Sequence, residues 1–327
     1  MTRLFLWPLI LILLAACSEE APLDEAYPSP NPPRNDLLQN GLPSRNDIGA
    51  LISLQTPVKS QDRRGVCSIF SAIGILESWL KIKTKQTLDL SENYLAYIVT
   101  SQVTRRPFSG STASDNFQGV RKKGVISEDA WPYEGQDWMG NKLSPLEIAL
   151  RDATCFFIGF QQDLCLKTHR DPYQNPFLEA AKDFANQFKT DRTEAILLSS
   201  LTDAHHRLLS NEPILLELDL FYGAWNHRKM AELGIGEPNP ELWARGMVGI
   251  PTSRDVSLSR QKPAGHSLVI VGFDDVQRVY FFKNSWGIES FGVQSDLLGP
   301  GTTPGYGTIP YEYAQQYGTF YRIRPSF

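Results

Sequence analysis

Several things are scarce in this sequence, and each scarcity excludes something. Positive charge is not in excess: 32 Lys and Arg stand against 36 Asp and Glu, a formal net charge of −4. That leaves no basic footprint for a nucleic-acid backbone, and basic pairs such as Arg63-Arg64 and Lys122-Lys123 are expected to be solvated surface. There is no apolar run of membrane-spanning length. The one at the start, Leu4 to Ala16, has 13 residues, short of the roughly 20 that a helix needs to cross about 30 Å of hydrocarbon. Histidines number five, and the adjacent pair His205-His206 has no Cys, Asp or Glu spacing to complete a ligand set. It is expected to be helix surface, and Asp274-Asp275 to be turn residues. No metal and no cofactor are expected. Cysteines number four: Cys17, Cys67, Cys155 and Cys165. What remains is 327 residues with 42% hydrophobic and 21% charged side chains. That is an ordinary globular composition, long enough to bury a large core as one two-lobed domain or two small ones.

Residues 1–17 carry Arg3, then the apolar run, then Cys17 where acidic Glu19-Glu20 is about to begin. The ending Leu14-Ala15-Ala16-Cys17 resembles the lipobox of bacterial lipoproteins. The resemblance implies cleavage before Cys17, lipid modification of that cysteine, a membrane as partner and a place in the bacterial cell envelope. The alternative is a plain secretory signal with Cys17 incidental. Residues 18–46 hold Pro22, Pro28, Pro30, Pro32, Pro33 and Pro43 with little apolar periodicity, which reads as an extended tether. With Cys17 assigned to the signal, three cysteines remain. Cys155 and Cys165 are expected to pair in an oxidising compartment, the alternative being two buried free thiols.

From Asp47 the chain turns globular. A polar loop, Gln61-Asp62-Arg63-Arg64-Gly65-Val66, runs into Cys67. Ile69, Phe70, Ile73, Leu76 and Leu80 then recur at helical spacing, so a helix is expected from about Cys67 to Lys83. A cysteine at a helix start feels the positive end of the dipole, which favours thiolate. Gln61, six residues upstream, is placed to donate a hydrogen bond to an oxygen attacked by that sulfur. Further helices are expected from Ser91, an N-cap residue followed by Glu92-Asn93-Tyr94-Leu95, and over Ala113 to Lys123. Beyond Pro213 strands dominate: Ile214 to Leu220, a hairpin of His266–Phe273 and Val279–Lys283, then Gly305–Pro310 and Thr319–Arg324. Residues 224–262 read as a long loop.

Three segments in order carry a family resemblance. Thr56-Pro57-Val58-Lys59-Ser60-Gln61, with Cys67 and Phe70-Ser71-Ala72, resembles the active-site segment of papain-like cysteine peptidases. Gly265-His266-Ser267-Leu268-Val269-Ile270-Val271-Gly272-Phe273 resembles the family's histidine strand, and Lys283-Asn284-Ser285-Trp286-Gly287 its asparagine motif. The resemblance implies an α+β, two-lobed fold: a helical lobe over 47–135 and an antiparallel, β-barrel-like lobe over 201–327, with 136–200 as an insertion. It implies peptide hydrolysis with Cys67 as nucleophile, His266 as base and later acid, Asn284 orienting the imidazole, and Gln61 with the Cys67 N–H as oxyanion hole. Gly110 and Ser111 fall where the family carries a glycine pair that binds substrate backbone. Gly265 and Trp286 flank the same site. A thiolate–imidazolium pair is expected near neutral pH.

This chain departs from the family at Ser68, where a tryptophan is usual, and at Arg64, where a cysteine usually makes a structural disulfide. The family's long helical prosegment has no counterpart beyond the proline-rich tether. Two other function classes stay open: a papain-fold scaffold lipoprotein that has lost hydrolysis, and a thiol hydrolase or transferase acting on non-protein amides.

Overall fold

The computed structural model describes residues 42–104, 110–135, 145–146, 149, 153, 176–189 and 193–324. Cys17, Cys155 and Cys165 lie outside the described residues, as does most of the stretch read as an insertion.

The helical lobe is built on four labelled helices: α1 (Ile48–Ser53), α2 (Cys67–Thr84), α3 (Glu92–Ile98) and α4 (Ala113–Lys123). Helix α2 is buried on nearly every side from Ser68 to Leu80. It lies between the sheet and helices α3 and α4, so it has no solvent face to mark with polar residues. Its small residues serve close approach: a Cβ on Gly74 would sit 3.4 Å from the Val269 side chain. Lys81 and Lys83 sit in its last turn, where cations oppose the dipole, and Lys85 ends it in the left-handed conformation. Ser91 caps α3 by accepting from the Tyr94 N–H, as its position predicts. A capping box between Thr112 and Asp115 starts α4, directly after Gly110-Ser111.

The second lobe is one antiparallel sheet in the order β1-β6-β2-β3-β4-β5. Its strands are β1 (Glu194–Leu197), β2 (Ile214–Asp219), β3 (Gly265–Asp274), β4 (Val279–Lys283), β5 (Tyr306–Pro310) and β6 (Gly318–Arg324). The sheet does not close: β1 and β5 are its two edges, so the barrel-like lobe is an open sheet. Central β3 is buried at every residue except Gly265, which is why its sequence is a continuous apolar run. Asp274 makes the hairpin turn, its Oδ1 accepting from the Val276 and Gln277 N–H groups at 2.9 Å each. One continuous apolar core spans both lobes.

Three expectations are corrected. Residues 224–262 are not one loop but carry the short helices Lys229–Glu232, Pro240–Ala244 and Ser253–Ser259, each too short to show a period. The stretch read as an insertion ends inside the fold: helix Pro176–Phe188 packs Ala181 and Ala185 against Tyr94, Tyr97 and Trp131, and β1 pairs with β6. Gly124, at φ +69°, permits that docking, since a Cβ there would meet the Ala185 carbonyl oxygen at 1.8 Å. Finally, His205 is 2% exposed and only His206 is surface. The His205 ring stacks on Phe273 at 3.9 Å between centroids, and its Nε2 is 3.2 Å from the Tyr280 hydroxyl. Among the described residues no group of three or more His, Cys, Asp or Glu could hold a metal ion.

Candidate active site

The loop before Cys67 is tied down from both lobes. The Gln61 N–H donates to the Ser285 carbonyl at 2.7 Å, and the Tyr133 hydroxyl donates to the Gln61 carbonyl at 2.7 Å. Arg64 corrects the surface reading of its pair. It is half-buried, donates to Asn93 Oδ1 at 2.5 Å and to the Glu134 carbonyl at 3.0 Å, and lies over the Tyr133 ring at 5.0 Å. It thus fastens the loop, at the position where the family usually has a disulfide. Gln61 itself is 7% exposed. Its Oε1 accepts from the Ser285 hydroxyl at 2.6 Å and its Nε2 donates to the Arg64 carbonyl at 2.7 Å. A carbonyl can only accept, so this network sets the amide orientation and leaves one Nε2 proton unassigned.

Helix α2 begins at Cys67, and Val66 before it supplies no side-chain cap; its carbonyl takes the Ile69 and Phe70 N–H groups, which leaves those of Cys67 and Ser68 facing the sulfur. Cys67 is partly exposed. Its sulfur lies 4.0 Å from the Gly265 carbonyl oxygen, one residue before His266. The backbone N–H groups of Ser267 and Ser68 act on it in favour of thiolate, yet burial outweighs them and pushes the thiol up to about 11.

His266 is the second residue of β3 and 3% exposed. Its ring stacks on Trp286 at 4.5 Å and meets the edge of Trp225 at 5.3 Å. Trp243 stacks on the far face of this group, 5.4 Å from Trp286. Nε2 of His266 is 2.8 Å from Asn284 Oδ1. The same Oδ1 accepts from the Ser285 N–H at 2.8 Å. Since an N–H donor must face the oxygen, Oδ1 is an acceptor toward His266 as well, so Nε2 carries the proton and Nδ1 is the free base. Burial lowers the His266 pKa to about 4, although the Asn284 bond works the other way. Taken singly, burial favours the neutral form of each partner.

Gly110 has φ +125° and open space where a Cβ would stand, a conformation suited to glycine. Ser111 is half-buried; its hydroxyl donates to Asn116 Oδ1 at 2.7 Å and is 2.8 Å from the Ser68 hydroxyl. The two family departures at Ser68 and Ser111 thus meet in one hydroxyl pair. Gly265 is exposed and turns its carbonyl toward the sulfur.

Behind the site lies a buried ionic cluster that sequence reasoning missed. Glu77 of α2 accepts from the Thr56 hydroxyl and, at 2.9 Å, from the Leu90 N–H. Lys59 donates to Glu92 at 2.9 Å, and Lys283, next to Asn284, donates to the Thr56 carbonyl at 2.8 Å. Burial lowers Lys283 to about 8 and raises Glu92 to about 8. Glu217, 7% exposed on β2, was also missed. Its signal was readable: a single charge within Ile214-Leu215-Leu216-Glu217-Leu218.

A model of the papain family cysteine proteases matches residues 42–204. The range contains Gln61, Cys67, Gly110 and Ser111 and stops before His266 and Asn284. Cathepsin K of Gallus gallus is 42% identical over 83 residues, which are 25% of this chain and 24% of that protein. Cathepsin K of Mus musculus is 45% identical over the same length and the same shares. The chain thus matches about a quarter of the length of these curated relatives. Among solved structures, xylellain, a cysteine protease from Xylella fastidiosa, matches with a TM-score of 0.57 at 18% identity, covering 91% of this chain and 92% of that one. At that identity the likeness is one of fold.

Proposed function

The chain belongs to the papain family of cysteine proteases, and from that premise we propose that it is a cell-envelope peptidase using Cys67, His266, Asn284 and Gln61. The observation that carries the reading is the Asn284 oxygen shared between the Ser285 N–H and His266 Nε2. It presents Nδ1 as a base on the strand that flanks the sulfur. Attack of Sγ on the substrate carbonyl carbon passes the thiol proton to Nδ1. The developing oxyanion takes the Cys67 N–H and the remaining Gln61 Nε2 proton. Collapse breaks the C–N bond, and the Nδ1 proton leaves with the amine, giving a thioester. Water, deprotonated by Nδ1, then releases the acid and restores the thiol. No cofactor enters any step.

The test is labelling with an irreversible epoxysuccinyl thiol inhibitor, mass mapping of the adduct, and hydrolysis of a peptide library. An adduct on Cys67, with hydrolysis lost in Cys67→Ala, supports the reading. A second reading, a catalytically weak scaffold of papain fold, is kept open by the departures at Ser68 and Arg64. An unlabelled Cys67 and an uncleaved library would establish that one.

Anchoring through lipid on Cys17 belongs to the same proposal. Its support is the short apolar run ending at Leu14-Ala15-Ala16-Cys17. Each buried acyl methylene contributes about 0.8 kcal/mol. Cys17→Ser is expected to move the protein to the soluble fraction, and unchanged membrane association would refute the anchor.

A further inference from the structure

Glu217 ties β2 to the start of α4 with one carboxylate oxygen and leaves the other unengaged among the described residues. It is 7% exposed, and its Oε1 accepts one backbone N–H, that of Ala113, at 2.6 Å. Ala113 opens α4, just beyond Gly110-Ser111. Oε2 takes no partner among the described residues, and the neighbouring charge that acts on the carboxylate is that of Asp115, also negative. Burial with that like charge holds the carboxyl up at about 7. Directly across the ladder from Glu217 is Ser267. Residues opposite each other in an antiparallel pair share a face, and Ser267 is 2% exposed with a hydroxyl that has no hydrogen-bond partner. Ser267 is also the residue after His266, and its N–H acts on the Cys67 sulfur. Two unpartnered polar groups therefore stand on one sheet face, between the base strand and the start of α4. A buried carboxylate is ordinarily paired with a cation.

Resting on the peptidase reading, we propose that Glu217, with Ser267, is a specificity residue that receives a lysine or arginine side chain of the peptide substrate. The ammonium or guanidinium donates to Oε2 and a further N–H reaches Ser267 Oγ. Half-buried Tyr321 on β6 senses the Glu217 charge and offers a ring beside the aliphatic stem. The site also bears on the rate of reaction. The Glu217 charge opposes thiolate formation at Cys67, so a cation bound there removes a charge that disfavours attack. A basic side chain then raises kcat as well as lowering KM.

The experiment uses paired fluorogenic peptides, each carrying lysine, arginine or the neutral isostere norleucine at one position around the scissile bond. Wild-type protein is expected to prefer a basic residue over norleucine at one position by about 10- to 100-fold in kcat/KM. Glu217→Gln should collapse that ratio whatever its absolute rate, and Glu217→Asp, which keeps the charge, should retain most of it. Hydrolysis with no basic preference at any position, or a preference that survives in Glu217→Gln, overturns the proposal and leaves the peptidase reading standing. The wild-type ratio needs no variant, so a Glu217→Gln chain that fails to fold does not rescue the idea when that ratio is flat. Absence of all hydrolysis together with an unlabelled Cys67 removes both.

Discussion

The two sides of the site are held very differently. On the sheet side His266 is fixed by a 2.8 Å bond to Asn284, a stacked Trp286 and the edge of Trp225. Ring position, tautomer and burial are all over-determined. On the helical side Cys67 is placed by backbone alone: it is the first residue of α2, and its sulfur meets the Gly265 carbonyl at 4.0 Å and the N–H groups of Ser68 and Ser267. Rigidity there resides in the loop, through Gln61 and Arg64, and not at the nucleophile. The difference teaches that the imidazole is locked by neighbouring side chains, while the thiol is placed by the loop and the helix start. Taken singly, burial pushes the thiol up to about 11 and the imidazole down to about 4, so an ion pair between them has both shifts to overcome.

The largest test of that asymmetry removes each partner. Cys67→Ala and His266→Ala should each lower kcat by on the order of 10⁴-fold or more, as for groups that act as one unit. Equal losses in the two singles and the double variant, with unchanged thermal unfolding of Cys67→Ala, are the expected pattern. Additive losses would mean the two side chains do not work together.

Gln61→Ala should cost about 2.7–4 kcal/mol in the barrier, a fall of roughly 10²–10³ in kcat with little change in KM. A loss confined to KM would place Gln61 in substrate binding and not at the oxyanion.

The protonation states give a sharper, smaller effect. With the thiol raised and the imidazole lowered, the reactive thiolate grows with pH throughout the neutral range. Alkylation of Cys67 by iodoacetamide should therefore rise close to tenfold per pH unit between about pH 6 and 9. A plateau from acid to neutral pH would show a stable ion pair and reverse the comparison.

The smallest effect is expected at Arg64. Arg64→Ala removes the bonds to Asn93 and Glu134 and the ring contact with Tyr133. A loss of about 1–2 kcal/mol in unfolding stability is expected, with a smaller change in kcat than that of Gln61→Ala. No change in stability would mean that Gln61 alone secures the loop.

Much of this was legible in the linear chain. The period of Ile69, Phe70, Ile73 and Leu76 announces α2 and puts Cys67 at its start, because periodicity and the cap position are local properties. The apolar run His266–Phe273 announces a buried strand, and Asp274 its turn. Short helices at 229–232, 240–244 and 253–259 were not legible, since four to seven residues do not complete two turns. His205 shares one helical face with Leu201, Ala204 and Leu208, so its burial was legible from the spacing, while the Phe273 ring it stacks on was not.

The sequence by itself determined which residue types were present, in what order, and where the helix and strand that carry Cys67 and His266 begin. The tertiary structure alone decided their chemistry. Cys67 and Gly265 are 198 positions apart, and Ser267 and Glu217 are brought opposite each other by a strand register. Ionisation depends on how much water the fold removes and which dipoles replace it. Those are sums over neighbours from both lobes, so a dipole argument at one helix end points to thiolate while burial by the assembled fold acts the other way.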